Sequence, residues 1–272
     1  MIQFLWLIPL GFFVGSFGTL IGAGGGFILV PVLLLLYPDK SPETITAISL
    51  AVVFFNSLSG SVAYARMKKI DYKSGLIFAA ATLPGSILGS LTTSLIPRNI
   101  FNMLFGILLI IGSVYLLIRP QNNRTAQQTS QKGIIRTVTD IDGIKYTFSY
   151  NLPLGIVISV LVGYFSSLLG IGGGIIHVPV MIQLLNFPVH LATATSHFVL
   201  AFMSFSGSMV HWFTGVISSG ITQIIGLSIG VLFGAQLGAQ LSKRLKGGWI
   251  VRGLALALGV VGIRILLLAF SL

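Results

Sequence analysis

Gly22-Ala23-Gly24-Gly25-Gly26-Phe27-Ile28-Leu29-Val30-Pro31 returns later in the chain as Gly170-Ile171-Gly172-Gly173-Gly174-Ile175-Ile176-His177-Val178-Pro179. Both copies lie in apolar sequence. Four glycines in five positions cost a helix about 1 kcal/mol each relative to alanine, so a helix should stop at each copy. A stopped helix exposes N–H and C=O groups that hydrocarbon does not satisfy. Such a break survives only inside protein or beside a wet cavity. Two matched breaks, one in each half, point to a transporter's binding site.

Composition supplies the membrane. The chain has 272 residues, 54% of them hydrophobic and 8% charged, with a mean hydropathy of +0.98. Soluble domains carry about 25% charged residues, so the class is integral membrane protein. The apolar runs have a helical period rather than strict alternation, which rejects an outer-membrane barrel. The five acids, Asp39, Glu43, Asp71, Asp140 and Asp142, fall in expected loops. The net charge of +11 comes mainly from loop Lys and Arg. Anchoring against anionic membrane lipid accounts for it, and no nucleic-acid partner is expected. With no cysteine, disulfides and thiolate metal sites are excluded. Met1 to Val14 lacks the basic start of a signal peptide and continues into the repeat, so it is read as structure.

The likeness between halves extends past the glycines. Gly15 matches Gly163, Thr46 to Ser49 matches Thr193 to Ser196, and Ser59-Gly60-Ser61 matches Ser206-Gly207-Ser208. The expected fold is an all-α polytopic membrane protein of two homologous halves. Each half holds a Gly-broken helix or re-entrant hairpin (3–36 and 152–186) and three transmembrane helices. These fall at 44–65, 73–95 and 99–119, then at 190–213, 219–241 and 249–271. As one helix, 3–36 would be about 50 Å long against a bilayer core of about 30 Å, so it must fold back or stop short. The domains are therefore a first transmembrane repeat (1–120), a linker (121–151) and a second repeat (152–272).

Charge selects the topology. The basic loops are 66–73, 119–145 and 243–252, and positive loops prefer the cytoplasm. All three are cytoplasmic only if each broken segment returns to its own side. The halves are then inverted repeats, and both termini lie outside. Arg98, in an outside loop, and Arg264, within the last span, are the exceptions. In the linker, 121–131 reads as flexible. Arg136 to Tyr150 alternates around Asp142-Gly143, the signal of a type I′ β-hairpin. The linker is read as a cytoplasmic tether without chemistry.

The candidate site starts from the glycines: Gly22, Gly24, Gly25 and Gly26, with Gly170, Gly172, Gly173 and Gly174. At each break backbone N–H groups converge and the next short helix presents its positive end, which suits an oxyanion. Close helix packing is the other use of such residues, and it is the reading for Gly85/Gly89 and Gly226/Gly230/Gly234/Gly238. Thr46, Ser49, Thr193 and Ser196 offer hydroxyls that either complete an anion's shell or pack helices. His177 and His197 are candidates to bind an anion when protonated or to relay a proton. His211 sits near a membrane end and His190 in a loop. No histidine spacing suits a metal. No acid lies within a span, which favours an anion over a cation as ligand. No nucleophile–base pair, Walker loop or cofactor motif appears, so neither an enzyme nor a cofactor is expected.

These residues resemble the TauE/SafE anion permeases of the sulfite exporter type. The likeness is carried by the doubled Gly-x-Gly-Gly-Gly…Val-Pro element at 22–31 and 170–179, by Thr46 to Ser49 and Ala192 to Ser196, and by the Ser-Gly-Ser elements. It spans nearly the whole chain outside 121–151. The resemblance implies export of sulfite, sulfoacetate or a related organosulfonate across the inner membrane by a multi-pass protein. One departure separates the halves: Leu29 and Leu50 stand where the second copy has His177 and His197. The competing functions are a passive anion channel, an exporter of another small anion or solute, and an assembly factor. The oligomeric state is left open, a homo-oligomer included.

Overall fold

The structure is a computed structural model that describes residues 5–118, 133–242 and 247–270. The reading of 121–131 as flexible, and the charges at 119, 124, 132 and 243–246, lie outside the described residues. The elements are α1 (Leu7–Ile21), α2 (Gly26–Leu36), α3 (Pro42–Arg66), α4 (Tyr72–Thr93), α5 (Arg98–Ile118), β1 (Ile134–Thr139) and β2 (Lys145–Tyr150). The second half adds α6 (Leu152–Leu169), α7 (Gly174–Gln183), α8 (Val189–Phe213), α9 (Ile221–Leu241) and α10 (Gly247–Phe270). Among the described residues, α3, α4, α6 and the stretch Val216–Leu241 that contains α9 are long and apolar enough to cross a membrane.

Local chemistry sets the boundaries. Ser41 caps α3 by accepting from Thr44 N at 3.2 Å, with Pro42 at the first helical position. Asp71 and Asn151 cap α4 and α6 in the same way. Glu43, expected in a loop, lies in the first turn of α3, where an acid meets the positive helix end. α1 and α6 end at Gly22 and Gly170, each left-handed (φ 80° and 69°).

The halves exchange partners. α1 packs along α9 of the other half, with Gly11 on Leu227 and Gly15 on Val231. The counterpart of that pair is α6 along α4, where Gly85 meets Val160 and Gly89 meets Tyr164. Residue numbers rise together in both pairs, so the partners run the same way. α3 and α8 instead cross with opposite sense, Gly60 meeting His197 and Gly207 meeting Leu50. α4 follows the direction of α8, through Ser86 Oγ donating to Met203 O at 2.8 Å and Gly75 meeting Phe198. α3 follows α9, with Ile48 at Gly220 and Ser59 Oγ donating to Leu232 O at 2.7 Å. α5 and α10 pair with each other in opposite sense, Gly106 meeting Gly262 and Ser113 Oγ donating to Ala255 O at 2.6 Å. Each helix of the first half thus runs opposite to its counterpart in the second.

Both broken segments fold back. Gly25 packs on Val14 and Gly18, so the chain doubles along α1 after the break. α2 then returns to the end from which α1 came. There Arg98 donates to Leu34 O, Pro38 O and Lys40 O, and Lys40 Nζ donates to Ser219 O. Arg98, an exception by charge, is thus occupied in holding carbonyls at the close of α2. α7 likewise returns to the end from which α6 came: Phe187, just beyond it, stacks on Phe148 and Tyr150 at 4.4 and 5.3 Å.

The linker does form an antiparallel hairpin, Ile134 opposite Tyr150 through Thr139 opposite Lys145. The turn is five residues rather than the two of a type I′ turn. Asp140 Oδ1 accepts from Asp142 N and Ile144 N, and this side-chain bridge spans the longer loop. The hairpin is fixed to the helices by Arg136, which grips Asp71 through two nitrogens at 2.7 and 3.2 Å. Burial would raise the Asp71 carboxyl, but hydrogen bonds from Arg136 and Ser74 outweigh it and hold the group below its ordinary value.

The glycine faces predict how the packing responds to volume. A Cβ at Gly89 would lie 3.0 Å from Leu168 N and Tyr164 C, whereas one at Gly112 meets nothing within 4 Å. Gly89→Leu should therefore destabilise by about 1–3 kcal/mol or more through overpacking. Gly112→Ala should be neutral or stabilising by up to about 1 kcal/mol. Thermal unfolding of the detergent-solubilised variants measures both, and equal effects would contradict the packing.

Candidate functional site

The two pentapeptides meet. Gly26 lies against Gly170 and Ile171, while Gly174 lies against Gly22 and Ala23, so the segments pass each other in opposite directions, backbone to backbone. At the centre of the crossing Val53 of α3 fills the space that a Cβ would need at both Gly24 and Gly172. All ten residues, 22–26 and 170–174, are buried.

The dihedrals explain the composition of the motif. The first, third and fourth positions are left-handed in both copies: Gly22, Gly24 and Gly25 at φ 80°, 77° and 84°, and Gly170, Gly172 and Gly173 at 69°, 78° and 73°. An L-residue with a side chain pays about 1–2 kcal/mol in that region. The fifth position needs glycine for a different reason, the close approach of the other segment. The second position needs neither, and there the chain carries Ala23 and Ile171.

The hydrogen bonding follows the same symmetry. Ser49 Oγ of the first half donates to Gly170 O of the second at 2.6 Å. Ser196 Oγ of the second half reaches Gly22 O of the first at 3.5 Å. Thr46 packs on Gly170 and Thr193 on Gly22. The Thr193 hydroxyl is occupied by Val189 O at 2.9 Å, while Thr46 Oγ1 is buried without a partner among the described residues. Two of the four expected hydroxyls therefore hold glycine carbonyls of the opposite half. Ala23 N and Gly24 N return to Gly18 O, and Ile171 N to Ser166 O. Among the described residues no acceptor serves the amides of Gly25, Gly26 and Phe27, nor those of Gly172, Gly173 and Ile175. These amides lie at the starts of α2 and α7, so the positive ends of two helices both belong to the buried crossing.

The histidines separate. His197, in α8, faces the first break: its Nε2 lies 3.2 Å from Thr19 Oγ1, and its ring meets Tyr64 edge-on at 5.9 Å. His177, in the first turn of α7, faces α6 and α4 instead, with Nε2 3.4 Å from Ser159 Oγ and its ring edge-on to Phe78. His211 lies 4.0 Å from the Glu43 carboxylate at the far end of α8. Among the described residues no group of acids and histidines is arranged to hold a metal.

Three residues that join the site were not singled out from sequence. Asn56 Nδ2 donates to Gly24 O at 3.0 Å, Thr19 Oγ1 bonds Asn56 Oδ1 at 3.2 Å, and Tyr64 Oη donates to Thr19 O at 2.7 Å. An asparagine amid an apolar span carried the signal, since it must find partners there.

Removing the serine hydroxyls tests this arrangement. Ser49→Ala leaves Gly170 O buried without that donor and should cost about 1–3 kcal/mol. Ser196→Ala should cost less, because its bond is at the limit of length. Thermal unfolding reads the difference; Ser196→Ala as the costlier change would contradict the geometry.

Comparison with known proteins agrees over most of the chain. The family model described as Sulfite exporter TauE/SafE matches residues 7–265. The chain is 39% identical over 222 residues to the Probable membrane transporter protein YunE of Bacillus subtilis (strain 168), covering 79% of this chain and 81% of that one. It is 31% identical over 215 residues to the Probable membrane transporter protein MJ0441 of Methanocaldococcus jannaschii, covering 75% and 72%. The Probable membrane transporter protein YdhB of Bacillus subtilis is 29% identical, with 83% and 80% covered. No solved structure matches.

Proposed function

The chain belongs to the sulfite exporter TauE/SafE family, and on that premise we propose that it is a secondary transporter of a small sulfur oxyanion. The substrate class is sulfite, sulfoacetate or a related organosulfonate, moved outward across the inner membrane by alternating access. The observation that carries this reading is the buried crossing of the two glycine breaks, which holds six backbone amides without acceptors among the described residues and the N-termini of two helices. Donors without a nearby acid suit an anion.

The topology follows from direction and charge. Counterpart helices run oppositely, which supports inverted repeats related by an axis in the membrane plane. Met67, Asp71 and the β-hairpin share one end, through Ile141 N to Met67 O and Arg136 to Asp71. That end carries Arg66, Lys68, Lys69, Lys73, Arg136 and Lys145 and is read as cytoplasmic. The two re-entrant hairpins then enter from opposite faces and meet inside.

Burial of the whole crossing supports an alternating carrier over an open channel, since solute reaches those amides only if the segments part. Purified protein in proteoliposomes tests the function. Labelled sulfite or sulfoacetate should show saturable flux with counterflow driven by unlabelled anion on the opposite side. Flux that never saturates and shows no counterflow would favour the channel; no flux of any sulfur oxyanion would remove the substrate class.

A further inference from the structure

Resting on the carrier reading, we propose that the anion crosses together with a proton, and that Nδ1 of His197 is the atom that takes it. The argument starts from acceptors and donors. Gly24 O accepts only, so the atom of Asn56 that faces it at 3.0 Å must be the amide nitrogen. Asn56 Oδ1 then faces Thr19, and the Thr19 hydroxyl spends its one proton on it at 3.2 Å. A hydroxyl so committed meets His197 Nε2 at 3.2 Å with a lone pair, so Nε2 carries the hydrogen. The neutral ring has one N–H. Nδ1 is therefore left without a hydrogen in the neutral ring; it is fully buried and makes no hydrogen bond among the described residues, and the backbone of Asn56 and Gly22 lies beside the ring to receive a hydrogen once it is protonated.

His177 repeats the logic at the second break. Ser159 Oγ donates to Gly155 O at 2.7 Å and meets His177 Nε2 with a lone pair at 3.4 Å, again leaving Nδ1 without a partner. His197 is the proton site of the proposal because its hydrogen-bond chain runs through Thr19 and Asn56 into Gly24 of the crossing itself.

Charge supplies the need. An anion in the membrane interior requires a compensating charge. α1, α2, α6, α7, α8 and α9 contain no Lys or Arg; α3 has Arg66 in its last turn and α4 has Lys73 in its first. Beside the crossing, histidine is the residue able to become positive, and it does so only by binding a proton. Protonated Nδ1 would be both countercharge and donor. The groups around His197 do not compete for the role. α1 and α9 carry no titratable side chain. On α3, Tyr64 meets the ring edge-on but spends its hydroxyl on Thr19 O. On α4, Tyr72 meets Phe198 edge-on at 5.4 Å. On α8 itself, His190 lies in the first turn and His211 in the last.

The proton enters from one solution, resides on Nδ1 while the anion is bound, and leaves with it to the other. With a monovalent anion the cycle is then electroneutral. Proteoliposomes loaded with a pH-sensitive dye test this. An imposed gradient of methanesulfonate, a monovalent organosulfonate that does not itself titrate, should shift lumenal pH in step with anion entry, and a pH gradient should drive at least ten-fold accumulation. His197→Gln keeps a donor toward Thr19 but has no proton-binding nitrogen. It should slow exchange several-fold and reduce accumulation to the level seen without a gradient. Wild-type anion flux that moves no proton, or accumulation by His197→Gln equal to wild type, would overturn the proposal.

A second readout does not need transport. In protein labelled with 15N-histidine, the His197 ring should be the Nε2–H tautomer at pH 8 and a cation at lower pH when anion is present. A Nδ1–H tautomer, or a ring that takes up no proton down to pH 5 with anion, ends the proposal. Absence of anion exchange by the wild type counts against the carrier itself and leaves the ring measurement to decide the proton site.

Discussion

Two stretches of bare backbone lying against each other in the middle of the molecule are what the remaining packing serves. Side chains cannot stand between them, because Gly26 faces Gly170 and Gly174 faces Gly22 with no room for a Cβ. Burying polar backbone in a membrane interior is costly unless each group finds a partner. The carbonyls of Gly22 and Gly170 find theirs in serines of the opposite half, while among the described residues the amides of Gly25, Gly26, Phe27, Gly172, Gly173 and Ile175 have none. On the proposed reading, that imbalance of donors over acceptors is what would favour a negative solute.

The same contact ties the halves together. Each broken segment packs on helices of the other half, α1 on α9 and α6 on α4, along glycine faces that bring backbones close. Each break is buried in part by the other half. The chemistry around the two breaks nevertheless differs: Thr19, Asn56 and His197 stand at one, while at the other Ser167 and Leu50 meet Gly207 and Met203 meets Gly173. A symmetric frame thus holds an asymmetric polar cluster.

Much of this was legible in the chain. Helix ends lay within a few residues of the expected spans because Gly, Pro and capping residues punctuate the apolar runs: Ser41-Pro42 before α3, Asp71 before α4 and Asn151 before α6. The glycine doublet announced the breaks. The identity of their partners was not legible, since contacts such as Ser49 with Gly170 join residues far apart in sequence. Of the four hydroxyls that could serve either a ligand or packing, three face carbonyls and Thr46 Oγ1 has no partner among the described residues. The Asp-Gly pair marked a turn correctly but not its length, because Asp140 reaches across to stabilise the wider loop. The hairpin's seat on the helices, Arg136 on Asp71, joins two charges whose pairing sequence alone does not specify.

The central claim is that the glycine crossing is where the anion binds. A structure determined with a transported sulfur oxyanion, or its selenium analogue, addresses it directly. The predicted result is anion density within hydrogen-bonding distance, about 3 Å, of amides among Gly25, Gly26, Phe27, Gly172, Gly173 and Ile175. Anion density elsewhere, with the two segments still packed together as they are here, would contradict the account.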